Sequence, residues 1–266
     1  MSIHPTAVVD PRAEIHPDAE LGAHAVIDGP AKIGAGTRLA PHAVVLGWTE
    51  LGEGNQVHSG AVLGDAPQDL SYRGAKSYLH IGHRNVFREG VQVHRGTAPD
   101  STTVIGDDNF LMANCHVAHN CRLGDRIIMT NNSVVGGYVE IGDRVVLSAS
   151  CAVHQFVRVG TMAIMRGLSA TSRDVPPFAI IDWQHTVRGL NVVGLRRAGF
   201  EEPRVRVLKN AFQILFRKRR NLSAAVKELE EHLSDPFGDV AFLLEFIRAS
   251  KRGVCAGPKS HPLGRP

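Results

Sequence analysis

An aliphatic or bulky apolar residue stands at every sixth position from the start of the chain: Ile3, Val9, Ile15, Leu21, Ile27, Ile33, Leu39, Val45, Leu51, Val57 and Leu63. The register resumes in phase at Ile81, Phe87 and Val93. It runs again from Ile105 through Leu111, Val117, Leu123, Met129, Val135, Ile141, Leu147, Val153 and Val159 to Met165. No helix has this period. Four residues after each anchor the side chain is usually small, as at Ala19, Ala25, Ala31, Ala43, Ala61, Cys115, Cys121, Ser133 and Cys151. A large and a small inward position therefore alternate. One hexad predicts one flat, strand-like face, and three faces close a coil of about 18 residues that stacks on its neighbours at the β spacing of about 4.8 Å. The pattern predicts an all-β, parallel, triangular-prism β-helix.

Glycine often follows the anchor, as in Ile33-Gly34 and Ile141-Gly142, where a tight corner tolerates it best. The repeat is interrupted near 64–80, which holds GDAPQDLSYRG, and near 98–104; insertions in a solenoid map to surface loops, where function concentrates. The prism is assigned to residues 1–190. A linker and a C-terminal α-helical appendage of three helices follow over 191–252, with apolar faces Val205/Leu208/Phe212/Leu215, Leu222/Val226/Leu229/Leu233 and Phe237/Val240/Leu244/Ile247 at helical spacing. Residues 253–266 carry no pattern and are expected to be disordered.

Composition agrees with a repetitive β architecture: 27 glycines and only 6% aromatic residues. The chain begins with no signal-like stretch and contains no apolar run long enough for a membrane span, so a soluble, cytoplasmic protein with no stable membrane insertion is expected. Cys115, Cys121, Cys151 and Cys255 lack zinc-finger spacing. Cys115 and Cys151 fall two coils apart on one face, roughly 9 to 10 Å, beyond disulfide reach. A net charge of +4 is modest, but Arg204, Arg206, Lys209 and Arg217 to Arg220 cluster in the helical appendage. No nucleic-acid-binding fold or interleaved aromatic platform accompanies them, so an acidic protein partner is expected and no nucleic acid.

The polar cluster that stands out is NCHVAHNC, Asn114 to Cys121, where His116 and His119 flank the anchor Val117. Two functional readings are open: zinc ligands, or a general base with a substrate-positioning neighbour. Acyl transfer to a hydroxyl needs a base and backbone N–H groups to hold the thioester oxyanion. VVGGYVE, Val134 to Glu140, offers Gly136 and Gly137 about one coil beyond His119.

GDAPQDLSYRG, VHRGT at Val93 to Thr97, DNFLMANCHVAHNC at Asp108 to Cys121, AVHQF at Ala152 to Phe156, RDVPPF at Arg173 to Phe178 and GLRRAGF at Gly194 to Phe200 together resemble the hexapeptide-repeat UDP-N-acetylglucosamine O-acyltransferases that begin lipid A synthesis. The likeness covers nearly the whole chain, helical appendage included. It implies a left-handed helix, a homotrimer with active sites between subunits, an (R)-3-hydroxyacyl donor on acyl carrier protein, a UDP-sugar acceptor, and neither cofactor nor metal. It further implies His119 as general base, Gly137 as oxyanion donor, and Asp69 and His116 as sugar-positioning groups. His154 and Gln155 match nucleotide-side contacts, Asn191 and Arg197 uridine and phosphate contacts, and Gly167 the acyl-length ruler, open here to a longer chain.

Departures cluster on the acceptor side. Ser71 stands where the family has lysine, Asn120 replaces an acidic residue beside the base, and Tyr138 replaces a histidine. Val193 replaces an acid, and Ala198 an arginine whose bidentate binding is lost. These changes raise the alternative of a modified acceptor, a 3-amino UDP-sugar that would be N-acylated. A zinc-dependent hexapeptide-repeat enzyme of the carbonic anhydrase type is a further alternative.

Overall fold

A computed structural model describes residues 2–217, 221–232 and 234–258. Its β region is a left-handed prism of three sheets with eleven, nine and eight strands, parallel throughout except for the last strand of the first, hereafter faces A, B and C. The chain visits them in the order A, B, C and returns one coil higher. The anchors fill the interior: Phe87, Leu111, Met129, Leu147 and Met165 on face A, and Val93, Val117 and Val135 on face B, are buried. The small residues four positions on, including Cys115, Cys121 and Cys151, are buried beside them, and all four cysteines are free thiols.

Both excursions preserve the phase because they add multiples of six. A buried asparagine ladder records this: Asn85 N donates to Asn55 Oδ1 30 residues away, Asn109 N to Asn85 Oδ1 24 away, and Ile127 N to Asn109 Oδ1 at the ordinary coil length of 18. Each carboxamide thereby satisfies backbone groups that would otherwise be buried without partners. The first irregular segment is narrower than expected, 66–77, and the second lies three residues earlier, 95–101, because strands resume at Tyr78–Ile81 and Thr102–Ile105.

Glycine after the anchor has a different cause from the one expected. A Cβ on Gly34 would lie 2.5 Å from the carbonyl oxygen of Gly52 in the next coil, so stacking clearance rather than φ selects it. The left-handed corner residue comes two positions later and is often not glycine: Asn114, Asn120, Asn132 and Tyr138 have φ of 59°, 60°, 60° and 59°. Asparagine tolerates that region best among residues with a side chain.

The outward positions distinguish the faces. Face C presents Lys32, Glu50, His80, Arg122, Glu140 and Arg158 in register. Face A presents Val86, Phe110, Ile128, Val146 and Ile164 in one unbroken ladder. Face B presents Val26, Val44 and Val62, then Gln92, His116 and Val134. Two of the three outer faces thus carry apolar runs, and face C is charged.

An antiparallel hairpin, Ala179–Asp182 with Thr186–Leu190, closes face A. Helices α1 (Val192–Arg197), α2 (Glu202–Phe216), α3 (Leu222–His232) and α4 (Asp239–Arg248) follow. Three of them lie where the periodicity put them, and α1 is a short addition. Phe237 precedes α4 and is exposed, while Leu233 lies outside the described residues. The expectation of a disordered tail over 253–266 fails for 253–258. Val254 pairs with Asp174 and Ala256 with Thr186, and Val254 and Cys255 are buried. The backbone of this strap supplies the pairing that a six-residue pattern does not register.

Candidate active site

The edge between faces B and C carries the site. His119 lies in the corner after Val117 and is buried, 8% exposed. Its Nδ1 is 3.0 Å from Asn120 Oδ1, which also accepts the Thr97 N–H at 3.0 Å. The Thr97 bond fixes Asn120 Oδ1 as an acceptor. Nδ1 must therefore carry the proton, leaving the lone pair on Nε2. Asn120 orients the ring without placing a negative charge on it. Nε2 faces Asp69 Oδ2 at 3.6 Å.

Gly137 occupies the same corner one coil on. A Cβ there would lie 2.6 Å from His119 Cε1 and 2.7 Å from Nε2, so only glycine lets the ring sit against the backbone. Its N–H has no acceptor among the described residues. Tyr138 meets His119 edge-on at 5.4 Å between ring centroids, and Phe156, one coil further, stacks on Tyr138 at 4.9 Å. A lone pair facing a carboxylate, with a free amide beside the same ring, is the kind of set required to take a proton and hold an oxyanion.

Asp69 belongs to the 66–77 excursion, whose local geometry holds it in place. Ser71 N donates to Asp69 Oδ1 at 2.8 Å, and this bond, with the Ser71 hydroxyl, holds the carboxyl below its ordinary range. Ser71 itself is exposed. Two residues not singled out from sequence tie the excursion down. His94 Nδ1 accepts the Gln68 N–H at 3.2 Å, and Arg95 donates to Gly64 O at 2.8 Å and to Tyr72 Oη at 2.9 Å. Both lie in VHRGT next to the anchor Val93. The signal was a charged and a titratable residue directly after an inward position.

His94 packs edge-on against His116, with centroids 4.9 Å apart, and His116 Nδ1 is 3.4 Å from Gln92 Oε1. Burial, then His119, lowers the His116 pKa. Burial, then the nearby His116, lowers the His94 pKa from 6.5 to about 4. An unfolded chain therefore takes up a proton near pH 6.5 that the folded one refuses until about pH 4. Stability from this group is complete above that window and falls as pH drops through it. Urea midpoints should decline more steeply between pH 7 and pH 4 in the wild type than in His94→Gln; equal slopes would rule out the linkage.

Comparison with known proteins decides the family. A Syntrophobacter fumaroxidans acyl-[acyl-carrier-protein]–UDP-N-acetylglucosamine O-acyltransferase is 44% identical over 257 residues, covering 96% of this chain and 99% of the relative. The chain belongs to the UDP-N-acetylglucosamine O-acyltransferase family. A Halorhodospira halophila relative of the same description is 45% identical over 254 residues, 95% of this chain and 98% of its own. Residues 174–255 match the family profile described as UDP N-acetylglucosamine O-acyltransferase, domain 2, and residues 102–137 match the bacterial transferase hexapeptide. The solved UDP-N-acetylglucosamine acyltransferase of Campylobacter jejuni superposes with a TM-score of 0.90 at 38% identity, covering 97% of this chain and 100% of that one.

Within this UDP-N-acetylglucosamine O-acyltransferase fold the remaining predicted positions separate. His154 and Gln155 are exposed on the same edge as His119, and His154 Nδ1 lies 3.4 Å from Arg252 Nη2. Gly167 sits in the corner after Met165, on the A/B edge, where a Cβ would meet only Ala149 O at 3.5 Å, an ordinary contact distance. It and His119 therefore border face B from opposite sides. Asn191 is 3% exposed and its side chain is engaged: it accepts from Gly194 N at 2.9 Å, capping α1, and donates to Met162 O at 2.8 Å. The structure gives it a helix-capping role in place of a free ligand contact. Arg197 is exposed in the last turn of α1.

The basic cluster is also less free than its sequence suggests. Arg204 is held by Asp239 at 2.6 and 2.8 Å, Lys209 shares Glu202 with Arg196, and Arg217 donates to Arg188 O. Arg206 stays exposed; Lys218, Arg219 and Arg220 lie outside the described residues. No helix among the described residues is long and apolar enough to cross a membrane.

Proposed function

We propose that this protein transfers an (R)-3-hydroxyacyl chain from acyl carrier protein to the 3-hydroxyl of UDP-N-acetylglucosamine, the first step of lipid A biosynthesis. The observation that carries the reading is the fixed tautomer of His119 beside the free Gly137 amide. In this reading Nε2 takes the proton of the sugar 3-hydroxyl as its oxygen attacks the thioester carbonyl. The Gly137 N–H holds the oxyanion, and collapse expels the thiolate, which recovers the proton from Nε2. Asp69, 3.6 Å from Nε2, balances the transient imidazolium and accepts a hydrogen bond from the sugar. His116, His154, Gln155 and Arg197 serve the acceptor, with Ser71 and Tyr138 shaping its pocket.

The same reading includes a homotrimer. Gly167 and His119 lie at opposite edges of face B, so an acyl chain running between them crosses that face. Face A of a second copy, with its apolar ladder, supplies the cover. A face-A-to-face-B contact is heterologous, and three copies so joined close into a ring when the rotation between neighbours is about 120°. A cytoplasmic setting fits four buried free thiols and substrates made inside the cell.

Incubation with UDP-N-acetylglucosamine and 3-hydroxyacyl carrier proteins of several lengths, read by mass, tests the assignment. The expected product is the 3-O-ester, with longer chains accepted because Gly167 leaves space. A 3-amino UDP-sugar in the same assay tests the acceptor: an amine needs less help from a base whose partner Asn120 carries no charge. Strong preference for the amine would overturn the hydroxyl assignment, and no acyl product with either would overturn the function.

A further inference from the structure

His119 sits between two neighbours that favour opposite tautomers. Asp69 Oδ2 stands 3.6 Å from Nε2, and a carboxylate only accepts, so it favours a proton on Nε2 and a base with no lone pair to offer there. Asn120 Oδ1, 3.0 Å from Nδ1, favours the proton on Nδ1. A carboxamide can reverse its preference, because a half-turn about its terminal bond exchanges Oδ1 for Nδ2. Nδ2 would then donate to Nδ1, whose proton leaves to solvent while another settles on Nε2 beside Asp69. A histidine in that state takes no proton from a hydroxyl facing Nε2.

One bond opposes the half-turn. Thr97 N donates to Asn120 Oδ1 at 3.0 Å, and a reversed carboxamide would set Nδ2 against that N–H, two donors face to face. The Asn120 backbone is held separately, by Thr103 Oγ1 at 2.7 Å. Thr97 is delivered by the 95–101 segment, which is clasped in turn to the return limb of the first excursion. Gly96 N donates to Tyr78 O at 3.2 Å, Tyr78 N to Ser101 O at 2.9 Å and Asp100 N to Lys76 O at 2.9 Å. Lys76 Nζ lies over the Trp48 and Tyr78 rings at 5.5 and 5.4 Å, and Tyr78 Oη is 3.4 Å from Asp100 Oδ1. A Cβ on Gly96 would collide with the carbonyl and hydroxyl oxygens of Ser101, so the segment closes on itself only with glycine there.

We propose that the clasped 95–101 segment is a tautomer catch: by keeping the Thr97 N–H on Asn120 Oδ1 it stops the carboxamide from turning over and holds the His119 lone pair on Nε2. Gly96 and Asp100 are its positioning residues, and their effect on turnover rests on the acyl-transfer reading above. The catch is needed because residue 120 is an amide. An aspartate there would accept from Nδ1 through either oxygen, and no half-turn could reverse it.

Long-range proton–nitrogen NMR spectra in mildly alkaline buffer, with the His119 signals assigned by their loss in His119→Gln, show which ring nitrogen carries the proton. The wild type is expected to show it on Nδ1. Gly96→Ala should move a measurable share to Nε2 and lower kcat by about 5-fold or more, the scale of one lost hydrogen bond, with the KM for the UDP-sugar little changed. Asp100→Gly suits the left-handed corner at φ 57° and deletes the carboxylate, so it should shift both readouts the same way by less. Combining either variant with Asn120→Asp should return the proton to Nδ1 and bring kcat to that of Asn120→Asp alone. A wild-type ring protonated on Nε2 would overturn the proposal, as would an unshifted tautomer in the variants that melt like the wild type. So would a kcat loss that persists in full with Asn120→Asp, the mark of a segment acting through Arg95 and the Asp69 excursion instead. The expected tautomers in a wild type that transfers no acyl chain would overturn the acyl-transfer reading and leave the catch in place.

Discussion

A Gly137→Ala enzyme is expected to lose turnover by about 100-fold or more while folding normally. Gly137 lies outside the left-handed region, so alanine fits its backbone; the collision is with the His119 ring, 2.6 Å from the added carbon. The ring must move away from Asp69 and Asn120, and the oxyanion donor is crowded at the same time. Loss of one such donor costs about 10²–10³ in kcat. His119→Ala should cost about 10²–10⁴ by removing the base. Because the two groups act on one transition state, the double variant should be little worse than the poorer single one. Steady-state kcat with thermal melting checks this. Full turnover in Gly137→Ala with an unchanged melting point would remove Gly137 and His119 from the mechanism together.

Ile128→Asp with Val146→Asp should give monomers that retain the prism and lose most activity. Both side chains point outward from face A in adjacent coils, and Ile128 is 37% exposed in the single chain. Neither substitution touches the interior, where Met129 and Leu147 are the buried neighbours. Carboxylates enclosed against another apolar face without partners would cost several kcal/mol of association. Sedimentation should show a shift from three-chain to one-chain mass, with a cooperative melt retained and acyl transfer lost. A three-chain mass with undiminished turnover would place the interface elsewhere.

The interior of the prism was legible because a six-residue repeat has one physical solution. Each hexad contributes one large and one small inward side chain, and no other regular structure repeats an inward position at that interval. The two excursions did not hide the pattern, since they add multiples of six and Asn55, Asn85 and Asn109 keep their ladder across them. The polar cluster around Val117 and the glycine pair after Val135 brought His119 and Gly137 to attention, and resemblance added Asp69. Sequence could not say that Asn120 fixes the histidine tautomer, because that rests on a bond from Thr97, 23 residues earlier.

Other positions changed meaning when the chain closed. Asn191 matched a ligand contact by motif, but its carboxamide is consumed by Gly194 and Met162. His94 and Arg95 entered only as part of the VHRGT motif, with no role of their own, although they anchor the excursion that carries Asp69. Arg204 and Lys209 counted toward a basic face until Asp239 and Glu202 paired with them. Residues 253–258 showed no periodicity because their backbone, more than their side chains, makes the contacts.

By itself the sequence determined the prism, its phase and its helical end, because those depend on local periods of 6 and about 3.6. Only the tertiary structure decided which corners stack into one edge, which charges remain unpaired and which outer faces stay apolar. Those properties depend on residues brought together across 18, 24 or 30 positions, distances over which a linear pattern carries no information about contact.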